Sequence, residues 1–369
     1  MEFTCRHQAL MQGLTAVERA VASNSPRPVL AGIYLEAKDN QLRMVATDLE
    51  LSIECYVPAV VIEPGKTVLD GKVLSQIVRK LDSEDVAYTS IDAAMGRIEG
   101  GKARFSLHTL YADEFPTLPE LPNEKFWRIS QNVFKRMVKQ TIIAVSTDEA
   151  QPSLNGVLLE VENDELRMVA TDINRLAFKR AKLAEPTEAL TKHIVPARTL
   201  QELTRLLSGE EDSELEFMIA GTQVVFKSGS VTIISRLIEG EFPEYRRAFP
   251  QTQPTRFRVN RTAFLAAVER ASLIARRSVP PVVKLVATAD NLSVSSQEAQ
   301  VGQVYDEVGG VNDGEPGEAT YQAFYIMEAL RAMDTEEVIM EIGEGLRQGS
   351  MRPVGESDYL YVLMPVRVG

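Results

Sequence analysis

Cysteine, histidine and tryptophan are scarce in this chain, and the first two scarcities each remove a class of function. Only Cys5 and Cys55 are present, which gives neither a disulfide framework nor a metal-ligand spacing. Both are expected to be buried, inert thiols in a reducing cytoplasm. The three histidines, His7, His108 and His193, are scattered, with no H-x-x-x-H pair and no cysteine partner. No G-x-x-x-x-G-K-S/T loop is present to cradle phosphates. Gly343-Glu-Gly-Leu-Arg-Gln-Gly349 is rich in glycine but carries a Glu and lacks the lysine, so it reads as a hairpin turn. No apolar run approaches the ~18 residues of a membrane span. The start, Met1-Glu-Phe-Thr-Cys-Arg-His7, lacks the pattern of a signal peptide. Long linkers rich in proline, glycine or serine are also missing. Neither a catalytic constellation nor a cofactor is expected, and a soluble globular protein is.

The net charge of −12 argues at first against a nucleic-acid partner, but distribution matters more than the sum. Apolar periodicity predicts helices over 6–20, 71–82, 131–143, 198–208, 260–277 and 321–333. With Lys and Arg counted against Asp and Glu, these segments together carry +10, so the strands and loops carry the remaining −22. Lys and Arg are good helix formers, which is the bland explanation. Glu is equally good and is rare in these segments, so the basic faces read as functional.

What the chain has in place of a catalytic motif is a phrase used twice. Leu42-Arg-Met-Val-Ala-Thr-Asp48 recurs letter for letter as Leu166-Arg-Met-Val-Ala-Thr-Asp172, 124 residues later. Each copy follows a similar strand and a polar turn, Asp39-Asn40 in one and Asn163-Asp164 in the other. A worn third copy runs from Leu285 to Glu298. Asp113-Glu-Phe-Pro116 returns as Gly240-Glu-Phe-Pro243, and Ala16-Val-Glu-Arg-Ala20 as Ala267-Val-Glu-Arg-Ala271. Three repeated domains follow, 1–122, 123–251 and 252–369, with joints near Asn123 and Gln251 in proline-rich stretches. A period this long is too large for a solenoid, so these are whole domains.

Within each repeat the pattern is helix, strands, helix, strands: an α+β design with helices on one face of antiparallel sheet. Strands are predicted at 57–62, 104–110, 215–220, 223–226 and 231–237, with turns at Gly221-Thr222 and Ser228-Gly-Ser230. In helix 131–143, Val133, Phe134, Met137 and Val138 share one face while Lys135, Arg136 and Lys139 lie mostly elsewhere. Asp48 and Asp172 could act as general bases, but a carboxylate repeated in the same turn is better read as a turn cap.

Together these phrases are specific. The Val-Ala-Thr-Asp turn followed by Arg175-Leu176, Leu154-Asn-Gly156, Glu241-Phe-Pro-Glu-Tyr-Arg-Arg247 and the closing Tyr361-Val-Leu-Met-Pro-Val-Arg367 resemble the bacterial sliding clamp, the beta subunit of DNA polymerase III, over the full length. The resemblance implies a DNA-clamp fold and a head-to-tail homodimer whose six domains close a ring, with helices inside and sheets outside. It implies a processivity factor that has no catalysis of its own. Such a ring encircles duplex DNA without reading sequence and stays on by topology, aided by Lys and Arg attraction to phosphate. The residues implied to face DNA are Arg27, Lys72, Arg79, Lys80, Lys135, Arg136, Lys139, Arg198, Arg205, Arg270, Arg276 and Arg277, about half of which should line the hole. The family often has Arg where Asn24 stands, and Arg27 is the expected substitute.

The partner site implied by the resemblance is a groove between the second and third domains. It takes short linear motifs of the replicative polymerase alpha subunit, the clamp loader, other polymerases and repair proteins. Its residues by match are Leu154, Thr171, Asn174, Arg175, Leu176, Pro243, Arg247, Tyr325, Val362, Met364, Pro365, Val366 and Arg367. Apolar walls rimmed by Arg suit a peptide with apolar anchors and a polar or acidic end; Leu154, Leu176 and Val362 could equally be plain core. Ile173-Asn174 stand where the family more often has Gly and His or Ser, Gln322 replaces a usual Asn, Val366 a Met or Thr, and Gly369 extends the tail. Ring closure is implied to set Phe105 and Leu107, on an edge strand, against Leu273 and Ile274 at a helix end. An enzyme using Asp48, Asp172 or the Gly343–Gly349 turn, and a peptide-binding adaptor without DNA, are the readings of other classes.

Overall fold

A computed structural model describes residues 1–119, 126–210, 213–276 and 279–367, without the side chains of 187–189. The predicted joint near Asn123 lies outside these residues. Six helices form where the periodicity placed them: α1 His7–Val17, α2 Gly71–Lys80, α3 Gln131–Thr141, α4 Ala197–Leu206, α5 Arg261–Ala275 and α6 Ala323–Ala332. Their termini follow ordinary capping chemistry. The Asp70 carboxylate accepts the Val73 N–H at 2.8 Å at the start of α2, and the Asn260 side chain accepts the Ala263 N–H at 3.0 Å at the start of α5. No helix among the described residues is long and apolar enough to cross a membrane.

Packing divides the chain into two compact units that cut across the sequence repeats. The first holds Met1–Gln131 and Arg198–Leu237, the second Asn132–Ala197 and Ile238–Gly369. In the first unit eight antiparallel strands form one sheet, in the order Trp127–Ser130, Glu214–Ala220, Gln223–Ser228, Val231–Arg236, Leu51–Pro58, Gln41–Thr47, Gly32–Lys38, Gly65–Asp70. A five-stranded sheet runs Val60–Glu63, Glu2–Arg6, Asp85–Ser90, Met95–Gly100, Ala103–His108. The single strand expected at 57–62 is therefore two strands in two sheets. Pro58 has no N–H, the hairpin ladder ends with the Ala59 N–H on the Asn40 carbonyl at 3.0 Å, and from Val60 the chain pairs with Glu2–Arg6 instead.

In the second unit ten antiparallel strands run Gly156–Thr171, Arg175–Pro196, Tyr359–Leu363, Gly349–Pro353, Glu337–Ile342, Thr255–Asn260, Gly302–Asn312, Asn291–Glu298, Val282–Ala287, Gly317–Gln322. The Gly343–Gly349 stretch is the connection between two of them, as its composition suggested. Helices bury their apolar faces on these sheets: Leu10, Leu14 and Val17 from α1, Phe134, Met137 and Val138 from α3, and Phe264, Ala267, Val268 and Ala271 from α5 are all buried. The repeated hairpins share a turn chemistry. Asp39 and Asn40 sit at φ 51° and 57°, the pair of left-handed residues that a tight hairpin turn needs, and Asn163 at 56°.

One feature recurs in both units. In the first, Leu51–Pro58 of repeat one takes Val231–Arg236 of repeat two as its neighbour, pairing Leu51 with Ser235, Ile53 with Ile233 and Cys55 with Val231. In the second, Arg175–Pro196 of repeat two takes Tyr359–Leu363 of repeat three, pairing Arg175 with Leu363, Ala177 with Tyr361 and Lys179 with Tyr359. Arg175 lies 124 residues after Leu51, so both joints use the same strand of the repeat in the same register.

Candidate partner groove and nucleic-acid interface

The turn closing the second hairpin is held by its own side chains. The Asp172 carboxylate accepts the Asn174 and Arg175 N–H groups at 3.1 and 3.0 Å, and the Thr171 hydroxyl accepts the Ile173 N–H at 3.1 Å while donating to the Arg175 carbonyl at 2.7 Å. Asp48 caps the first copy identically, through the Glu50 and Leu51 N–H groups at 3.1 and 2.8 Å. Both carboxylates are also ion-paired, Asp48 with Arg198 and Asp172 with Arg175. These are turn caps.

Around this turn the second unit assembles an apolar floor. Leu176 and Val362 join Leu158, Val169, Ile194 and Tyr245 in one buried cluster, flanked by Phe178, Phe242 and Phe249. Leu154 and Thr171 are buried as well. Arg175 is buried too. Its guanidinium donates to Asp172 at 2.9 Å, to Glu328, and to the Tyr361 hydroxyl at 3.3 Å, and stacks 4.2 Å from the Tyr325 ring centre. With its donors so engaged, Arg175 organises the floor from below. The exposed members of the predicted set are Asn174, Pro243, Arg247, Met364 and Arg367, with Tyr325, Pro365 and Val366 half-buried. The last residues are tied in place by backbone bonds, Met364 N–H to the Asn174 carbonyl at 2.9 Å and Val366 N–H to the Thr320 carbonyl at 2.8 Å. Leu154, Leu176 and Val362 are therefore core side chains, and the exposed members of the predicted set include Asn174 on the turn and Met364 on the tail, which the Met364–Asn174 backbone bond holds side by side.

One wall rests on a buried carboxylate that the sequence did not single out. Glu160 receives Arg167 at 2.7 Å, the Tyr245 hydroxyl at 3.3 Å and Arg246, with Lys192 at 3.3 Å. Burial alone would raise its pKa, but the Arg167 hydrogen bond and the charges of Arg246 and Lys192 hold it below the ordinary glutamate value. Burial and the Glu160 charge push Tyr245 up to about 12. The repeat carried a signal for this cluster: Glu36 and Arg43 of the first copy form the same pair, at 3.1 Å.

Most of the basic residues expected to face DNA fall into two groups. Arg79 pairs with Glu18, Arg136 with Glu356, Lys139 with Asp334, Arg198 with Asp48, Arg205 with Glu202 and Arg270 with Asp306. Lys72, Lys80 and Arg276 are exposed and have no ion-pair partner among the described residues. Lys135 is half-buried on α3, Arg27 lies exposed in a loop with its guanidinium 3.5 Å from the Glu114 carbonyl, and Arg277 lies outside the described residues. Phe105 and Leu107 are partly exposed on Ala103–His108, which has a neighbour on one side only. Leu273 is 62% exposed near the end of α5, with Ile274 partly covered. Among the described residues no group of three His, Cys, Asp or Glu is placed to hold a metal.

Family models for the DNA polymerase III beta subunit match the chain three times: the N-terminal domain over residues 1–119, the central domain over 128–244 and the C-terminal domain over 246–367. The beta sliding clamp of Bacillus subtilis (strain 168) is 32% identical over the whole of both chains, and that of Staphylococcus aureus (strain N315) is 32% identical over 100% of this chain and 99% of its own. The crystal structure of the Bacillus subtilis clamp superposes with a TM-score of 0.96 at 32% identity, and that of the Thermotoga maritima beta subunit with 0.92 at 27%, each covering 100% of both chains. This chain belongs to the DNA polymerase III beta subunit family. Like other beta subunits it is a processivity factor, an accessory subunit rather than an enzyme. Sequence reasoning missed Glu328 because its partner Arg175 is 153 residues away, and it missed most of the Glu160 cluster because Tyr245 and Arg246 are distant, although the Glu160–Arg167 pair was legible through its repeat as Glu36 and Arg43.

Proposed function

We propose that two copies of this chain close head to tail into a ring around duplex DNA. The ring tethers the replicative polymerase alpha subunit, the clamp loader, other polymerases and repair proteins through the groove at Leu176, Val362 and Met364. The observation that carries this reading is the repeated joint. Three repeats, near 1–122, 123–251 and 252–369, offer three such joints, and the chain forms two of them internally. The strand edges left over are that of Ala103–His108, the counterpart of Val231–Arg236, and that of residues 302–309 in Gly302–Asn312, the counterpart of Leu51–Pro58; only 310–312 of that strand pair with Thr255–Asn260. An unpaired strand edge invites pairing with another chain, and here the complementary edge is on a second copy.

The register follows from the repeat. Leu292 pairs with Val308 as Leu42 pairs with Val57, which makes Val304 the counterpart of Ile53. Transferring the Ile53–Ile233 pairing sets Phe105 of one copy opposite Val304 of the other, with Leu107 opposite Gly302 and Ala103 opposite Asp306. Two copies then satisfy each other's edges twice, which is closure. A closed ring needs no base contacts, and a lining in which many cations already have acidic partners attracts phosphate only modestly, as sliding requires.

The test is retention on DNA. The protein is loaded by a clamp loader on a nicked circle, which is then linearised. Retention on the circle with loss from the linear form is the expected result. Equal loss from both forms would overturn the ring and favour a peptide-binding adaptor.

A further inference from the structure

Each of the two joints formed within the chain is crossed by an arginine–glutamate ion pair as well as by its strand ladder. At the first, Arg19 of repeat one donates to Glu202 of repeat two at 2.9 Å, with side chains 26% and 14% exposed. At the second, the buried Arg175 of repeat two is paired with Glu328 of repeat three. Partly shielded from water, such pairs are screened less by salt than surface ones.

The two glutamates hold one place in the repeat. Helices α2, α4 and α6 are each ten residues long, and each follows directly on a strand. Glu202 and Glu328 are the sixth residues of α4 and α6, and the sixth residue of α2 is Gln76, which carries no charge. The covering differs as well. Val73 and Gln76 of α2 are exposed, whereas their counterparts Thr199 and Glu202 in α4, and Tyr325 and Glu328 in α6, are buried or half-buried. The face that α4 and α6 put into their joints is bare on α2 in a single chain.

The arginine has a counterpart too. Ala16-Val-Glu-Arg-Ala20 recurs as Ala267-Val-Glu-Arg-Ala271, so Arg270 stands in repeat three where Arg19 stands in repeat one. Its partner is different: Asp306 binds Arg270 at 2.5 Å within the same repeat. The register that makes Val304 the counterpart of Ile53 makes Asp306 the counterpart of Cys55. Cys55 is a buried thiol and offers no charge, so Arg19 reaches across its joint instead.

We infer that the joint between copies is built without the ionic latch of the internal joints, and that Gln76 keeps it so. Gln76 of one copy lies opposite Arg270 of the other, leaves that arginine to Asp306, and lets the copies part while the internal joints hold. The inference rests on the head-to-tail ring proposed above.

The experiment uses the full-length protein and its Gln76→Glu, Arg270→Gln, double and Glu202→Gln variants. Unlabelled and isotope-labelled samples of each are mixed, and native mass spectrometry reads the rate at which mixed dimers appear. Thermal unfolding gives Tm. A new pair slows the opening of one joint about fivefold, about 1 kcal/mol, so Gln76→Glu should slow exchange roughly 25-fold, because both joints must part. The gain should shrink in high salt and vanish when Arg270→Gln is added. That second arm separates a pair across the joint from one inside α2, where Arg79 follows Gln76 as Arg205 follows Glu202, which it binds at 2.6 Å. Glu202→Gln should lower Tm and leave exchange unchanged. Wild-type exchange in Gln76→Glu would overturn the inference, as would a gain that persists without Arg270 or a wild-type Tm in Glu202→Gln. A wild-type protein that is monomeric would instead overturn the ring reading.

Discussion

If acidic partners temper the attraction of the lining for DNA, removing them should make binding tighter and more sensitive to salt. Two partners can be removed without touching a turn cap or a strand joint. Asp334 holds Lys139 at 2.5 Å and Glu18 holds Arg79 at 3.4 Å, and all four side chains are substantially exposed. Exposed pairs contribute about 0.2–1 kcal/mol each, so Asp334→Asn with Glu18→Gln should cost under about 2 kcal/mol of stability. Two cations are freed per chain, four per dimer. Each phosphate contact contributes about 0.9 to the slope of log K against log salt, so the double variant should steepen the slope by up to about 3.6. Over one decade of salt that is a difference of up to several thousandfold in affinity. The assay is fluorescence anisotropy with a short labelled duplex at a series of salt concentrations, for wild type and variant in parallel. Parallel lines would refute the reasoning, because they would mean that Lys139 and Arg79 do not reach phosphate even when released.

Three further predictions concern assembly and the Glu160 cluster. Cysteines at Phe105 and Val304 should form an intermolecular disulfide that yields a covalent dimer on a denaturing gel, against little background because Cys5 and Cys55 are buried. Leu273→Ala with Ile274→Ala should give monomers by light scattering, and a surviving dimer would remove those two residues from the interface. Glu160→Gln should lower stability at neutral pH by about 3 kcal/mol, since Arg246, Lys192 and Arg167 lose their shared counter-charge. The sign with pH is fixed by its depressed pKa. The native state holds this proton more weakly than the unfolded chain, so the stabilisation is complete above the ordinary glutamate value of about 4.3 and is lost as pH falls through the lower native value. Urea titrations of both proteins across that range should therefore converge in acid, and a gap independent of pH would contradict the assignment.

The sequence by itself determined the repeat, and with it most of the architecture. The seven-residue phrase ending at Asp48 and Asp172 fixed the hairpins, because a polar turn between alternating apolar residues has one good solution. The six helices were legible for the same reason: the apolar period on α3 and α5 matches one buried face. The two aspartates were readable as caps since their chemistry is local, reaching N–H groups two and three residues on. What only the tertiary structure decided is whatever depends on residues far apart in the chain. Arg175 is placed at the partner site by the family resemblance, but its burial follows from Glu328, Tyr361 and Tyr325 arriving from other elements. Glu160 and Arg246 are 86 residues apart, and no local pattern announces that they meet. The compact units also cross the repeat boundaries, because strand pairing at a joint binds two repeats through a full backbone ladder. A side-chain period records which face of a strand is covered and says nothing of which strand lies beside it. The partner of a strand edge is set by backbone hydrogen bonds common to every sequence, so the joints had to be seen before the third could be inferred.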